Sequence, residues 1–318
     1  MIITGELPER VKTLIFSCPQ TGSGTRAVHR WILASLNELR HFVTSQLAAD
    51  LILRHLSRRP KPGELEESVR TAYAHCGLTN APAAHWPRAN PALIDCVAAE
   101  MDRGRSGLEM LRAGSKPIPA TAAGIMEKLF GSKLVCVGLH ERTATIAPVA
   151  KLEPLERFPL IVPNPMSARF VIDPVSGRKL ERSIANTAPE RRFIVTDFDL
   201  KAPVFGPVLD HWAKCKYTPQ DGQALLIRFL EAEPSNGKLA LVVFSGSHSL
   251  QAWWSVAGIP TEKLAVWFHD TVLIGADPAG WTPCQYFRMP RAKRPNIGTV
   301  QEPIYFDPSC LEPQSELL

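Results

Sequence analysis

Two aspartates separated by one residue, Asp197 and Asp199, close the run RRFIVTDFDL. An extended chain alternates sides, so Phe193, Val195, Asp197 and Asp199 are predicted to share one face of a strand. Same-face neighbours stand roughly 7 Å apart at Cα, which lets their carboxylates converge on a pair of divalent ions about 3.5–4 Å apart. Without a cation the two would repel. At an effective dielectric near 20 and about 5 Å, two like charges cost on the order of 3 kcal/mol, a penalty that a bound divalent ion reverses. The plain alternative is a strand end emerging into solvent.

Two later segments carry further polar chemistry. KLALVVFSGSHSLQAWW reads as an apolar strand, a turn at Ser245 to Ser249, and a second strand carrying Gln251 and Trp253 outward together. The Ser, Gly and backbone N–H groups of such a turn can hold phosphate oxygens, although a plain hairpin turn uses the same residues. GADPAGWTPCQYFRMPRAKRPN then supplies Asp277, followed by Arg288, Arg291, Lys293 and Arg294. An acid followed by bases suits a metal together with a triphosphate.

The order of DFD, an SG-containing hairpin, and a late Asp followed by RMP resembles the archaeo-eukaryotic primase superfamily, over roughly the C-terminal half of the chain. Upstream, IVPNPM and RSIANTAPERRF are similar to segments of the primase-polymerases of bacterial mobile elements. VHRWIL and its following helices resemble the small helical module that accompanies some primases. The resemblance implies an α+β fold: a primase catalytic domain with a mixed sheet and an RRM-like core, preceded by an N-terminal helical module. It implies Asp197, Asp199 and Asp277 as catalytic ligands of Mg2+ or Mn2+. Ser245, Gly246, His248, Ser249, Gln251 and Arg288 would bind the nucleotide. Gln251 stands where the family pattern has a histidine, and His248 sits three residues earlier with the opposite strand parity. Glutamine donates a neutral hydrogen bond but cannot become a cation.

Three functions are consistent with these residues. The first is template-directed nucleotidyl transfer in DNA replication, with a single-stranded DNA template, NTP or dNTP, and a separately encoded helicase as partners. The second is a degenerate module of the same fold that binds nucleotide or single-stranded DNA as a replication or defence factor, with Trp253 and Trp254 available for base stacking. The third, a metal-dependent nuclease, explains the carboxylates but not the hairpin.

The elements that must position these residues come in two groups. Val28, Trp31, Ile32, Leu36 and Leu39 make one helical stripe, a second helix follows from Thr44, and a third from Pro62 with Leu65, Val69 and Tyr73. SRRPKP at Ser57 to Pro62 clusters cations between helices, as a solvated loop or a phosphate contact. Leu78 to Pro91 lacks periodicity, so the division is placed between a helical module at 1–80 and a catalytic domain at 81–318. Asn90-Pro91 opens another helix and Thr121 to Phe130 forms one more. Strands are then expected at KLVCVG, FPLIVP, RRFIVTDFDL, KLALVVFSG, SLQAWWSV, CQYFRMP and EPIYFD, with helices from Thr218 and Thr261.

Composition narrows the setting. A hydrophobic fraction of 45% with 21% charged residues is ordinary for a globular protein, and no apolar run is long enough to span a bilayer. The acidic start MIITGELPER argues against a secretory leader, and seven scattered cysteines without a CxxC pair suit a reducing cytoplasm. Zinc would have to be assembled from His75, Cys76, His85 and Cys96 without paired ligands at short spacing, so buried thiols are the expected reading. A formal charge of +5 permits nucleic-acid binding without arguing for it. No Walker A phosphate loop is present.

Overall fold

The computed structural model describes residues 9–20, 25–39, 45–73, 86–102, 104–174, 176–201, 203–232, 237–295 and 297–311. The chain divides into two compact units, Met1–His85 and Trp86–Leu318. The expected division at residue 80 lies outside the described residues, as do His75, Cys76 and His85 of the zinc candidate.

The first unit is built from α1 (Glu9–Phe16), α2 (Thr25–Leu39), α3 (Ser45–His55) and α4 (Glu64–Tyr73). Its core is the stripe read from the sequence: Val28, Trp31, Ile32, Leu36 and Leu39 are buried, with Leu51, Ile52 and Leu65 against them. Helix α1 adds Val11 and Ile15, a contribution too short for periodicity to reveal. Arg58 of the basic SRRPKP run is committed inside the unit. Its guanidinium forks onto both Glu64 oxygens at 2.8 and 2.7 Å, and Glu64 also accepts from the Lys61 N–H, which caps the start of α4. The Arg58 hydrogen bond holds the Glu64 carboxyl down to about 2.

The second unit mixes helix and sheet. It contains α5 (Pro91–Met101), α6 (Gly107–Gly114), α7 (Ala122–Phe130), β1 (Leu134–Gly138), β2 (Thr145–Pro148), β3 (Leu160–Ile161), β4 (Val171–Ile172) and β5 (Lys179–Leu180). After these come β6 (Phe193–Asp197), α8 (Gly206–Lys214), α9 (Pro219–Glu231), β7 (Lys238–Phe244), β8 (Leu250–Ser255), α10 (Thr261–Leu273), β9 (Phe287–Arg288) and β10 (Glu302–Phe306). Cys96, the remaining zinc candidate, is exposed on α5. The predicted cap at Asn90 forms, its side chain accepting from the Ala92 and Leu93 N–H groups.

Two antiparallel four-stranded sheets result, ordered β2-β1-β3-β9 and β10-β7-β8-β6, with β4 and β5 as a separate ribbon. Val137, Ile161 and Phe287 of the first sheet pack with Phe193, Val195, Leu241, Val243 and Trp253 of the second, so the sheets share a core that α7 also enters. The opposite face of the second sheet, with Ile194, Val242 and Trp254, is covered by α5, α8, α9 and α10. Both faces of β6 and β8 are therefore dry. Trp253 and Trp254 are both fully buried, which corrects the outward placement of Trp253 and removes both rings from any base-stacking role.

Candidate functional site

Strand β6 ends at Asp197, and Phe198 continues only through its N–H to the Leu250 carbonyl at 3.1 Å. Asp199 thus lies beyond the strand rather than on its continued face, and its carboxylate is ion-paired with Lys201. The stop follows from the partner strand, since β8 begins at Leu250 after the Ser245–Ser249 turn. Phe198 is buried in the helix-covered core with Ile194, which keeps the chain on the sheet while the pairing is lost.

Asp197 pairs across β8 with Gln251, and Gln251 pairs in turn with Val243 of β7. The Gln251 amide is buried and fully oriented: its carbonyl accepts from the Arg288 backbone N–H at 2.8 Å, and its NH2 donates to Asp197 Oδ2 at 2.9 Å. Gln251, on β8, thereby joins the second sheet directly to β9 of the first while holding Asp197 of β6. The other Asp197 oxygen, Oδ1, is buried and makes no hydrogen bond of full geometry among the described residues, with the Ser249 hydroxyl beside the carboxyl. Burial pushes the Asp197 carboxyl up to about 6, the nearby Ser249 and Gln251 side chains pull against that, and the charges of Asp199 and Asp277 add to it.

Asp277 is brought to this place by its backbone. Its N–H donates to the Asp197 carbonyl at 2.9 Å, and its side chain caps the 3-10 turn Pro278–Trp281 by accepting from Ala279 N–H at 2.8 Å. That turn lies directly on β6, where a Cβ on Gly280 would stand 2.1 Å from the Val195 carbonyl oxygen. Only glycine permits this approach. Arg191 secures it from below: the guanidinium donates to the Phe193 and Gly280 carbonyls at 3.2 and 3.1 Å and stacks on the Trp281 ring at 4.7 Å. Burial brings the Arg191 pKa down to about 9.

The hairpin between β7 and β8 closes by paired bonds, Ser245 N–H to the Ser249 carbonyl at 2.9 Å and Ser249 N–H to the Ser245 hydroxyl at 3.1 Å. Gly246 takes φ +81° beneath Thr299, whose hydroxyl donates to the Gly246 carbonyl at 2.7 Å. Arg294 binds the Ser247 hydroxyl. His248 is exposed, and its carbonyl accepts from Gln223 at 2.8 Å. Ser245, Gly246, Ser249 and Gln251 are thus buried together while His248 stands outside.

Gln223, buried on α9, was missed from sequence. Its NH2 holds the His248 carbonyl and its oxygen accepts from Leu250 N–H at 2.9 Å, so it sets the height of the whole hairpin. Its place directly before the apolar run ALLI was the available signal. Arg191 was missed because an arginine before a strand reads as a solvated charge.

Arg288 is half-buried, and its guanidinium makes no ion pair among the described residues. Burial and the neighbouring Arg294 lower its pKa, while Asp197 and Asp199 oppose them. A half-buried cation thus stands within electrostatic reach of Asp197 and Asp199 without an ion pair to either. Among the described residues no group of three His, Cys, Asp or Glu side chains closes to metal-holding spacing. The chemistry of the donors fits a divalent ion in two respects: a buried carboxylate oxygen without a full hydrogen bond, and two further acids whose charges already disfavour ionisation of Asp197.

No family model and no curated protein matches the sequence. The structure is similar to the AEP domain (PP-N190) of the primase-polymerase (PrimPol) of cyanophage S-2L, at 14% identity and a TM-score of 0.34, over 60% of this chain and 95% of that one. At that TM-score the likeness carries no argument about fold or activity.

Proposed function

We propose that the second unit is a primase-type nucleotidyltransferase, which extends a strand on a single-stranded DNA template from NTP or dNTP. The observation that carries the reading is the buried Oδ1 of Asp197, without a full hydrogen bond among the described residues, set beside Asp199, Asp277 and Arg288. Mg2+ or Mn2+ would be held by Asp197, Asp199 and Asp277, where a divalent ion supplies Lewis acidity toward a phosphoryl oxygen and lowers the pKa of a bound hydroxyl. Arg288 suits the triphosphate, because a guanidinium fork matches phosphate geometry and this one has no competing carboxylate partner among the described residues. The Ser245–Ser249 turn shapes the wall beside it. Gln251 orients Asp197 rather than touching phosphate, since both ends of its amide are already engaged.

A second reading has its own support. Asp199 is held by Lys201, Asp277 spends one oxygen on its own cap, and Gln251 is neutral. These features favour a module that binds nucleotide or single-stranded DNA without polymerising it. A primer-synthesis assay with single-stranded template, nucleotides and Mn2+ or Mg2+, run beside a nuclease control, separates the readings. Synthesis by the parent and none by Asp199→Asn supports the enzyme. Nucleotide or strand binding with no synthesis supports the module.

A further inference from the structure

The second sheet has another polar end. Arg192 precedes β6, five residues or roughly 16 Å from Asp197, and Asp307 follows β10 one step past the level of Val195, about three residues or roughly 10 Å from the level of Asp197. There a cleft of about 560 Å³ is lined by Lys116, Lys128, Arg192, Asp307 and Ser309, with Leu311 as an apolar wall.

The backbone fixes the three cations on separate elements. The Lys116 N–H donates to the Phe306 carbonyl at 2.8 Å, and the preceding Ser115 hydroxyl accepts from Phe306 N–H at 3.0 Å, which staples this linker to the end of β10. Lys128 sits in the last turn of α7. The Arg192 Nε donates to the Leu129 carbonyl at 2.8 Å, tying the entry to β6 to that same turn. None of the three makes an ion pair among the described residues. The single acid, Asp307, accepts from the Ser309 N–H and hydroxyl at 3.0 and 2.5 Å, so its charge is partly satisfied locally. Among the described lining residues three cations stand against one such acid, which leaves the cleft in want of an anion; Arg192 is half-buried, where charge is less well solvated, and Glu190 outside the cleft offsets it only in part.

We propose that this cleft is a phosphate-binding site, separate from the carboxylate cluster and independent of the nucleotidyl-transfer reading, which takes either the backbone phosphate of a nucleic-acid strand or the phosphate of a small free ligand. The test uses the full chain in EDTA, so that divalent ions play no part. Two probes are titrated: a fluorescein-labelled oligothymidylate followed by anisotropy, and inorganic pyrophosphate followed by calorimetry. Lys116 and Lys128 are exposed and are reversed together, Lys116→Glu/Lys128→Glu, which spares the packed Arg192.

A loss of at least about tenfold in oligothymidylate affinity, with the salt slope shallower by about 1.4 for two lost phosphate contacts, assigns the site to nucleic-acid backbone. A comparable loss confined to pyrophosphate assigns it to a free phosphate ligand. Unchanged binding of both probes by a variant whose thermal melt matches the parent overturns the proposal, as does a parent that binds neither. Should the double reversal fail to fold, Lys116→Gln/Lys128→Gln answers the same question by a smaller loss in the same probes.

Discussion

The Gln251 amide donates to Asp197 at 2.9 Å while accepting from the Arg288 backbone N–H, so a neutral side chain fixes the orientation of the buried carboxylate at the end of β6. Because a backbone N–H can only donate, the Gln251 oxygen must face it, and the NH2 is left to face Asp197. The carboxylate is thus held by one oxygen and without a full hydrogen bond at the other.

That arrangement makes stability depend on pH in a definite direction. Asp197 titrates near 6 in the folded chain, against about 4 for an ordinary carboxylate, so the folded state holds the proton more tightly. Stability from this group is therefore full below pH 4, falls as pH rises from about 4 to 6, and is flat above. Two pKa units correspond to roughly 3 kcal/mol. Asp197→Asn removes the penalty, and in metal-free buffer it is expected to melt higher than the parent at pH 7.5 and alike at pH 4. Adding Mn2+ should raise the parent melt and leave the variant unmoved. A variant less stable than the parent at pH 7.5 would contradict the buried-charge assignment.

Gln251→Glu keeps the shape and replaces the donor with a second carboxylate. Two ionised oxygens at hydrogen-bond distance cannot both persist in a dry site, so the pair takes up a proton or the sheets part. The expected result is a loss of about 2 kcal/mol or more at pH 7.5, reversed on acidification toward pH 4–5, where one proton lets the pair hydrogen-bond. Gln251→Met serves as the control for lost bonding without added charge, and should show no such recovery.

Strands β7 and β8 and helix α10 were legible because Gly237, Gly246, Gly258, Pro260 and Gly275 punctuate their apolar runs, and Asp197 could be picked out as a charge ending the apolar run of β6. The local geometry was not. Phe198 alternates correctly, with its ring in the helix-side core beside Ile194, and the pairing ends there because its partner β8 begins only at Leu250, after the Ser245–Ser249 turn. Trp253 was expected outward on the assumption that a hairpin strand has one wet face. It is buried because the first sheet covers it, and two-residue strands such as β3 and β9 leave little periodicity by which to foresee that sheet. Gln223 and Arg191 escaped notice because a single polar residue carries no period; their meaning lies in carbonyls that only the folded chain presents.

The two units should also separate by truncation. Each hydrophobic cluster draws its residues from one unit alone, with Val11 to Ala72 in the first and Ile94 to Phe306 in the others. A chain beginning at Trp86 keeps the edge-on contact of Trp86 with Phe268 at 4.9 Å and is expected to unfold in one cooperative transition. A broad, non-cooperative melt would show that the second unit needs residues before Trp86.

Gly280 gives the sharpest local test of how Asp277 is delivered. A methyl group there would meet the Val195 carbonyl oxygen at 2.1 Å, a backbone atom that cannot swing aside as a side chain would. Gly280→Ala must therefore lift the Pro278–Trp281 turn off β6, which strains the Arg191 bonds to the Gly280 and Phe193 carbonyls and draws Asp277 away from Asp197. Overpacking of this kind costs typically about 1–3 kcal/mol. Since Asp277 raises the Asp197 pKa, its withdrawal should bring the Asp197 titration downward, readable as a shallower stability slope between pH 4 and 6. Arg191→Met removes the brace without the clash and should shift the slope in the same sense. If Gly280→Ala keeps both the parent melting temperature and the parent pH slope, then Asp277 is not positioned through this turn.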